Sequence, residues 1–180
     1  MVIDFRQAFD TIEFDFIDEC VSKFNFGKDF CKWIGLMYKN VKSSVLVNGW
    51  KTKSFELSRG IRQGCPLSAL LFIMAVEIMA DRIRNNNQIK GVLFGENENQ
   101  KELKVLQYAD DTSVFFRNES SMQYILNELH EFGTVAGPVL NKNKTCLKWL
   151  GPTDNKWNFN DLGFYWEEKN YQVFRLSYWC

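Results

Sequence analysis

Three aspartates stand where the residues around them can turn them to chemistry. Asp4 sits in the short apolar run Val2-Ile3-Asp4-Phe5, and Asp110-Asp111 lie between Leu106-Gln107-Tyr108 and Ser113-Val114-Phe115-Phe116. The first pattern reads as the end of a strand whose first half is missing. The second reads as a hairpin with acids at its tip. A strand end and a hairpin tip in one sheet bring three carboxylates together. Crowded carboxylates repel, so such a cluster is held by cations, and oxygen-only ligands of this hardness suit Mg²⁺, which draws its remaining ligands from water and phosphate. Two such ions about 3.5 to 4 Å apart clamp the attacking and leaving oxygens of a phosphoryl transfer. The alternative for Asp110-Asp111 is a polar turn without chemistry.

The elements that must position these acids follow from periodicity. Phe16, Ile17, Cys20, Val21 and Phe24 predict a helix over Glu13 to Asn25, and Phe30, Trp33, Ile34, Met37 and Tyr38 predict a second to about Val41. Asn48-Gly49 between two apolar runs predicts a ribbon over Ser44 to Leu57. Pro66 opens a helix to about Arg84, Ile89 to Phe94 reads as a strand with a polar loop through Glu102, and Val105 to Phe116 as the acidic hairpin. Glu119 to Phe132 carries a helical stripe, Gly133 through Lys144 reads as a loop, and Cys146 to Leu150 as a strand. This order predicts an α+β fold of split β-α-β-β-α-β (ferredoxin-like) type, an antiparallel sheet with helices on one face and a ribbon inserted. The aromatic stretch from Trp157 onward shows no clear pattern.

Composition sets the frame. The 180 residues, 46% hydrophobic and 24% charged, suit one globular domain and exclude disorder or a fibre. Cys20, Cys31, Cys65, Cys146 and Cys180 are an odd number without a close pair, which predicts reduced thiols in an intracellular protein. Leu67 to Ala80 is too short to span a bilayer and contains Glu77, so no membrane segment is expected. The formal charge of zero conceals a layout: residues 1–30 carry seven acids and three bases, and residues 31–65 seven bases and Glu56 alone. A basic ribbon leading into Gln63 suits a phosphate backbone, and equally a solvated face.

Three stretches together resemble the reverse transcriptases of LINE-type (non-LTR) retrotransposons. Asp4-Phe5-Arg6-Gln7-Ala8-Phe9-Asp10 resembles the first palm motif, the run Arg59-Gly60-Ile61-Arg62-Gln63-Gly64-Cys65-Pro66-Leu67-Ser68 the second, and Tyr108-Ala109-Asp110-Asp111 the third. A fourth match is the stretch Ala136-Gly137-Pro138-Val139-Leu140-Asn141-Lys142-Asn143-Lys144-Thr145. The resemblance implies a polymerase palm over 1–150, two Mg²⁺ ions on Asp4, Asp110 and Asp111, and an RNA template, a DNA primer and dNTPs as partners. It also implies that Phe9 lies under the sugar and excludes a 2′-hydroxyl. Gln63 and Gly64 line the nucleotide pocket, Arg62 meets phosphate or template, and Lys144 protonates the leaving pyrophosphate.

Each of these side chains also has a plain structural reading. Phe9 fits a core phenylalanine, Arg62 and Lys144 fit solvated loop charges, Cys65 fits a packed thiol, and His130 a surface residue on the polar side of its helix. The chain departs from the family at Gln7, where Lys is usual, at Ala136 for Ser and at Pro138 for Leu. Fingers precede the first palm motif in the family and a thumb follows the palm. Neither has an evident counterpart here, and 151–180 stay an unassigned aromatic tail. Two expectations follow: RNA-templated DNA synthesis, or a catalytically inactive remnant that keeps the palm fold and at most binds nucleic acid.

Overall fold

The computed structural model describes residues 1–95, 100–150 and 164–166. Strand β1 (Val2–Ile3) passes through Asp4 into β2 (Phe5–Arg6), followed by the single turn α1 (Ala8–Thr11), α2 (Phe14–Lys23) and α3 (Lys28–Tyr38). A ribbon comes next: β3 (Lys42–Ser43), β4 (Leu46–Val47), β5 (Trp50–Lys51) and β6 (Phe55–Glu56). Then come α4 (Pro66–Asn85), β7 (Val92–Phe94), β8 (Lys101–Leu103), β9 (Val105–Tyr108), β10 (Asp111–Val114) and α5 (Glu119–Ala136). The short strands β11 (Val139–Leu140), β12 (Cys146–Leu147) and β13 (Tyr165–Trp166) follow.

The main sheet has the order β13-β12-β1-β10-β9. Strand β1 runs antiparallel to both β10 and β12, and β9 antiparallel to β10. Opposed residues of an antiparallel pair share a face, and neighbours along a strand alternate. Accordingly Thr112 and Val114 are buried with Ile3 and Val105, while Asp111 and Tyr108, which face each other across β9 and β10, are exposed. The class is α+β, as expected. One pair departs from an all-antiparallel sheet: β13 runs parallel to β12, with Cys146 opposite Tyr165. A parallel neighbour needs a connection of a dozen or more residues, and 17 positions separate Leu147 from Tyr165 along the chain.

The core forms around α4. Leu71, Phe72, Ala75, Val76, Met79, Ala80 and Ile83 are buried on it, and the helix packs on α2, α5 and β9. From α2 come Phe16, Ile17, Cys20 and Val21, and from α5 Met122, Ile125, Leu129 and Phe132. Each large apolar side chain buried this way contributes about 1.5–3 kcal/mol. Polar ties fix the helices in register. The Arg82 guanidinium donates to Glu128 at 2.7 Å and also reaches Glu131, joining α4 to α5. Lys104, 9% exposed, donates through Nζ to the carbonyls of Arg84 and Asn86 at 2.9 Å each, a cation on the negative end of α4. Asn118 caps α5 by accepting the Ser121 N–H at 2.9 Å.

Several local expectations change. The ribbon splits into two short pairs, β4 with β5 around Asn48-Gly49, and β3 with β6. Asn48 and Gly49 both have positive φ, 50° and 85°, the conformation that makes Asn-Gly a tight hairpin turn. Lys101–Leu103, read as polar loop, pairs with Val92–Phe94. Helix α5 runs past Gly133 to Ala136 and stops at Gly137, φ 101°, because the stripe of Leu129, Phe132 and Ala136 continues into the core. Of the tail, residues 151–163 and 167–180, with Trp157 and Cys180 among them, lie outside the described residues. Phe164 is buried in the core. No described helix is long and apolar enough to cross a membrane, and Cys20, Cys31, Cys65 and Cys146 form no disulfide.

Candidate active site

Asp4 occupies the point where the chain changes sheets. The preceding strand β1 pairs with β10 through Ile3 and Thr112, and the following strand β2 pairs with β11 through Phe5 and Leu140. Asp4 follows directly on Ile3, the last paired residue of β1, and Asp111 directly precedes its partner Thr112. Asp110 belongs to the two-residue tip between Tyr108 and Asp111, where Ala109 has φ 52°. Asp111 already lies inside the ladder, opposite Tyr108.

Asp4, Asp110 and Asp111 line one pocket of about 260 Å³ together with Phe9, Gln63, Asp10, Gln7, Ala8, Ile3 and Phe5. Phe9 stacks on the buried ring of Phe72, centroids 4.1 Å apart and planes 13° from parallel, so the pocket wall is braced from the core. Phe9 is partly buried against the core and also lines the pocket. Gln63 donates from Nε2 to Asp10 Oδ1 at 3.2 Å. Its loop is tied to the same segment: the Gly60 N–H donates to Ile12 O at 2.8 Å and the Ile61 N–H to Phe9 O at 2.7 Å. Gly60 is required there, because φ is 93° and a Cβ would stand 2.9 Å from the Asp10 carbonyl oxygen.

Other candidates lie outside the pocket lining. Arg62 and Lys144 are exposed, and Gly64 is exposed with φ 84° and no protein atom within 4 Å of an added Cβ. Backbone conformation explains that glycine without any close approach. Cys65 precedes Pro66 at the N-terminus of α4, and the backbone N–H groups of Leu67 and Ser68 hold its thiol pKa below the ordinary value. His130 is exposed, as expected.

Asp10, Asn141 and Thr145 are site residues that sequence reasoning did not single out. Asp10 closes the first motif, and Asn141 and Thr145 belong to the fourth, so the quoted motifs were the available signal. Asn141 donates from Nδ2 to Asp4 Oδ2 at 2.9 Å and from its backbone N–H to Asp4 O at 2.8 Å, while Thr145 Oγ1 accepts the Asp4 N–H at 3.2 Å.

The donor set fits a hard divalent cation in kind: four carboxylates, those of Asp4, Asp10, Asp110 and Asp111, line a pocket without thiol or imidazole. The expected tight cluster is nevertheless not closed. Among the described residues no three His, Cys, Asp or Glu side chains are grouped so as to hold an ion. Like charges repel across such a pocket.

The sheet thus carries an acid at a strand end and two more at a facing hairpin tip, with a glutamine loop beside them. Residues 1–166 match the family profile of reverse transcriptase (RNA-dependent DNA polymerase), and the chain belongs to that family. It is similar to a transposon TX1 protein of Xenopus laevis, 29% identical over 109 residues, covering 61% of this chain and 8% of that protein. It is also similar to Pol polyproteins of R2 retrotransposable elements. The Drosophila melanogaster relative is 23% identical over 79% of this chain and 13% of its own length. The Popillia japonica relative is 24% identical over 79% of this chain and 20% of its own length. The chain spans a fifth or less of these relatives. They bear out the LINE-type retrotransposon reading of the motifs.

Proposed function

We propose that the chain is the palm of a retrotransposon reverse transcriptase and takes part in RNA-templated DNA synthesis by two-metal nucleotidyl transfer. The single observation that carries this reading is the shared pocket of Asp4, Phe9, Gln63, Asp110 and Asp111. The run β12-β1-β10-β9, with helical connections on either side of the β9–β10 hairpin, supports a split β-α-β-β-α-β palm.

Asp4, Asp110 and Asp111 are the residues that would hold two Mg²⁺. Ions held there would supply Lewis-acid polarisation of a primer 3′-hydroxyl and charge neutralisation for a triphosphate. Phe9, immobilised on Phe72, sets the floor for a deoxyribose and leaves no room for a 2′-hydroxyl. A carboxylate only accepts hydrogen bonds, so Asp10 takes the amino side of the Gln63 amide and leaves its carbonyl oxygen for a nucleotide. Lys144, exposed on the turn that holds Asp4, is the proton donor to pyrophosphate, and Arg62 meets phosphate or template. RNA template, DNA primer and dNTPs are the partners.

One observation favours the alternative, a palm that keeps its fold without catalysis and at most binds nucleic acid: the absence, among the described residues, of a closed ion-binding group. Primer extension on an RNA template with Mg²⁺ and dNTPs separates the two. The 180-residue chain, its Asp110→Asn variant and a version extended upstream by fingers are compared. Loss of incorporation by at least 100-fold in Asp110→Asn is the expected result. Extension unchanged in that variant removes the metal assignment, and incorporation by the extended version alone leaves the non-catalytic reading for this chain.

A further inference from the structure

Every polar group of Asp4 but one is engaged by a single turn. The backbone N–H goes to Thr145 Oγ1 at 3.2 Å, the carbonyl accepts the Asn141 N–H at 2.8 Å, and Oδ2 accepts Asn141 Nδ2 at 2.9 Å. Among the described residues Oδ1 receives no hydrogen bond. The carboxylate can only accept, so the orientation of the Asn141 amide is settled by its partner: the NH₂ group faces Asp4. The turn is closed on itself through the Asn141 carbonyl, which accepts the Lys144 N–H at 3.1 Å and the Thr145 N–H at 2.8 Å. It is anchored behind as well. Val139 and Leu140 pair with Arg6 and Phe5, Thr145 is fully buried, and Lys142 lies over the Phe164 ring at 5.9 Å.

We propose that Asn141 is a positioning residue for the metal ligand Asp4, holding Oδ2 so that Oδ1 stays available to a divalent cation, and that the same turn links Asp4 to Lys144. The inference rests on the metal-binding reading of the pocket. A ligand carboxylate oriented by an outer hydrogen bond is paid for in no reorganisation when the ion arrives, and removal of such a partner lowers metal affinity about 10- to 100-fold. Charge adds a second effect: an amide at this place orients the carboxylate without neutralising it, whereas a lysine or arginine would compete with the cation.

The test titrates the 180-residue chain with Mn²⁺ alone, reading free Mn²⁺ by electron paramagnetic resonance, with the melting temperature of the metal-free protein measured alongside. Asn141→Ala is expected to weaken Mn²⁺ binding about 10-fold. The double variant with Asp4→Asn is expected to bind no more weakly than Asp4→Asn alone, since both changes act through one carboxylate. Thr145→Val should weaken binding and Thr145→Ser, which keeps the accepting oxygen, should restore it; this pair carries the test should Asn141→Ala fail to fold. Wild-type affinity in Asn141→Ala, with Asp4→Asn and Asp110→Asn both weakened, overturns the positioning role and leaves the metal site standing. Additive losses in the double variant overturn it as well. Mn²⁺ binding that ignores Asp4→Asn and Asp110→Asn removes the metal site, and the inference falls with it.

Discussion

Two cysteines show how position decides reactivity at the scale of single residues. Cys20 lies in α2 at 1% exposure, and burial pushes its thiol up to about 12. Cys65, at the start of α4, is held below its ordinary value by the N–H groups of Leu67 and Ser68. The thiolate is the nucleophile, and its fraction grows as pH rises through the pKa. Iodoacetamide should therefore label Cys65 at a lower pH than Cys20, which reacts in the folded protein only when the solution is strongly alkaline. Peptide mapping by mass spectrometry after labelling from pH 6 to 9 checks the order, and equal labelling of both at pH 7 would contradict it. The acids themselves were legible in sequence because residue type and apolar flanks define a carboxylate at a strand end. The hold of Asn141 on Asp4 was not, since 137 positions separate them and a single polar contact leaves no periodic trace.

At the scale of elements, the helices and the acidic hairpin followed from periodicity, and the missed short elements share one cause. The pairs β2 with β11 and β7 with β8 involve two or three residues per strand, too few for an alternating pattern to show. The single turn α1 is likewise shorter than a helical stripe. The end of α5 is decided by packing: the glycine at 137 adopts φ 101°, and a Cβ there would stand 2.0 Å from the Thr11 carbonyl oxygen. Gly137→Ala therefore meets both backbone strain and a clash with the segment that follows Asp4. A loss of about 2 kcal/mol is expected, which in a chain of this size lowers the melting temperature by about 4–8 °C. Differential scanning calorimetry of the variant checks it, and an unchanged melting temperature would show that the turn yields freely.

At the scale of the whole molecule, charge is distributed in a way its zero sum hides. Most of the basic excess lies on residues 31–65, and the ribbon within it exposes Trp50 at 82% and Leu46 at 70%. Two of those bases are already paired, Lys42 with Glu56 and Arg59 with Glu13, each at 3.2 Å. Lys51 and Lys53 remain as exposed charges beside Trp50. If the ribbon grips RNA, affinity for a single strand falls linearly with salt on logarithmic axes, by about 0.7 for each phosphate neutralised. Lys51→Gln with Lys53→Gln should flatten that slope by about 1.4 in a fluorescence-anisotropy titration from 50 to 300 mM salt. A slope unchanged by the substitutions would assign the ribbon to solvent.

The sequence by itself determined the residue chemistry, the principal helices, the Asn-Gly turn and the reverse transcriptase motifs. Each of these is written in runs of neighbouring residues, where period, residue type and spacing carry the information. Only the tertiary structure decided that the strand expected at the start of the chain breaks at Asp4 to serve two sheets. It also set Phe9 on Phe72, bound Gln63 to Asp10 and folded the turn of Asn141 to Thr145 over the first motif. Those contacts join residues that lie far apart along the chain. They exist only once hydrophobic burial around α4 has drawn the segments together and left their polar groups to find partners.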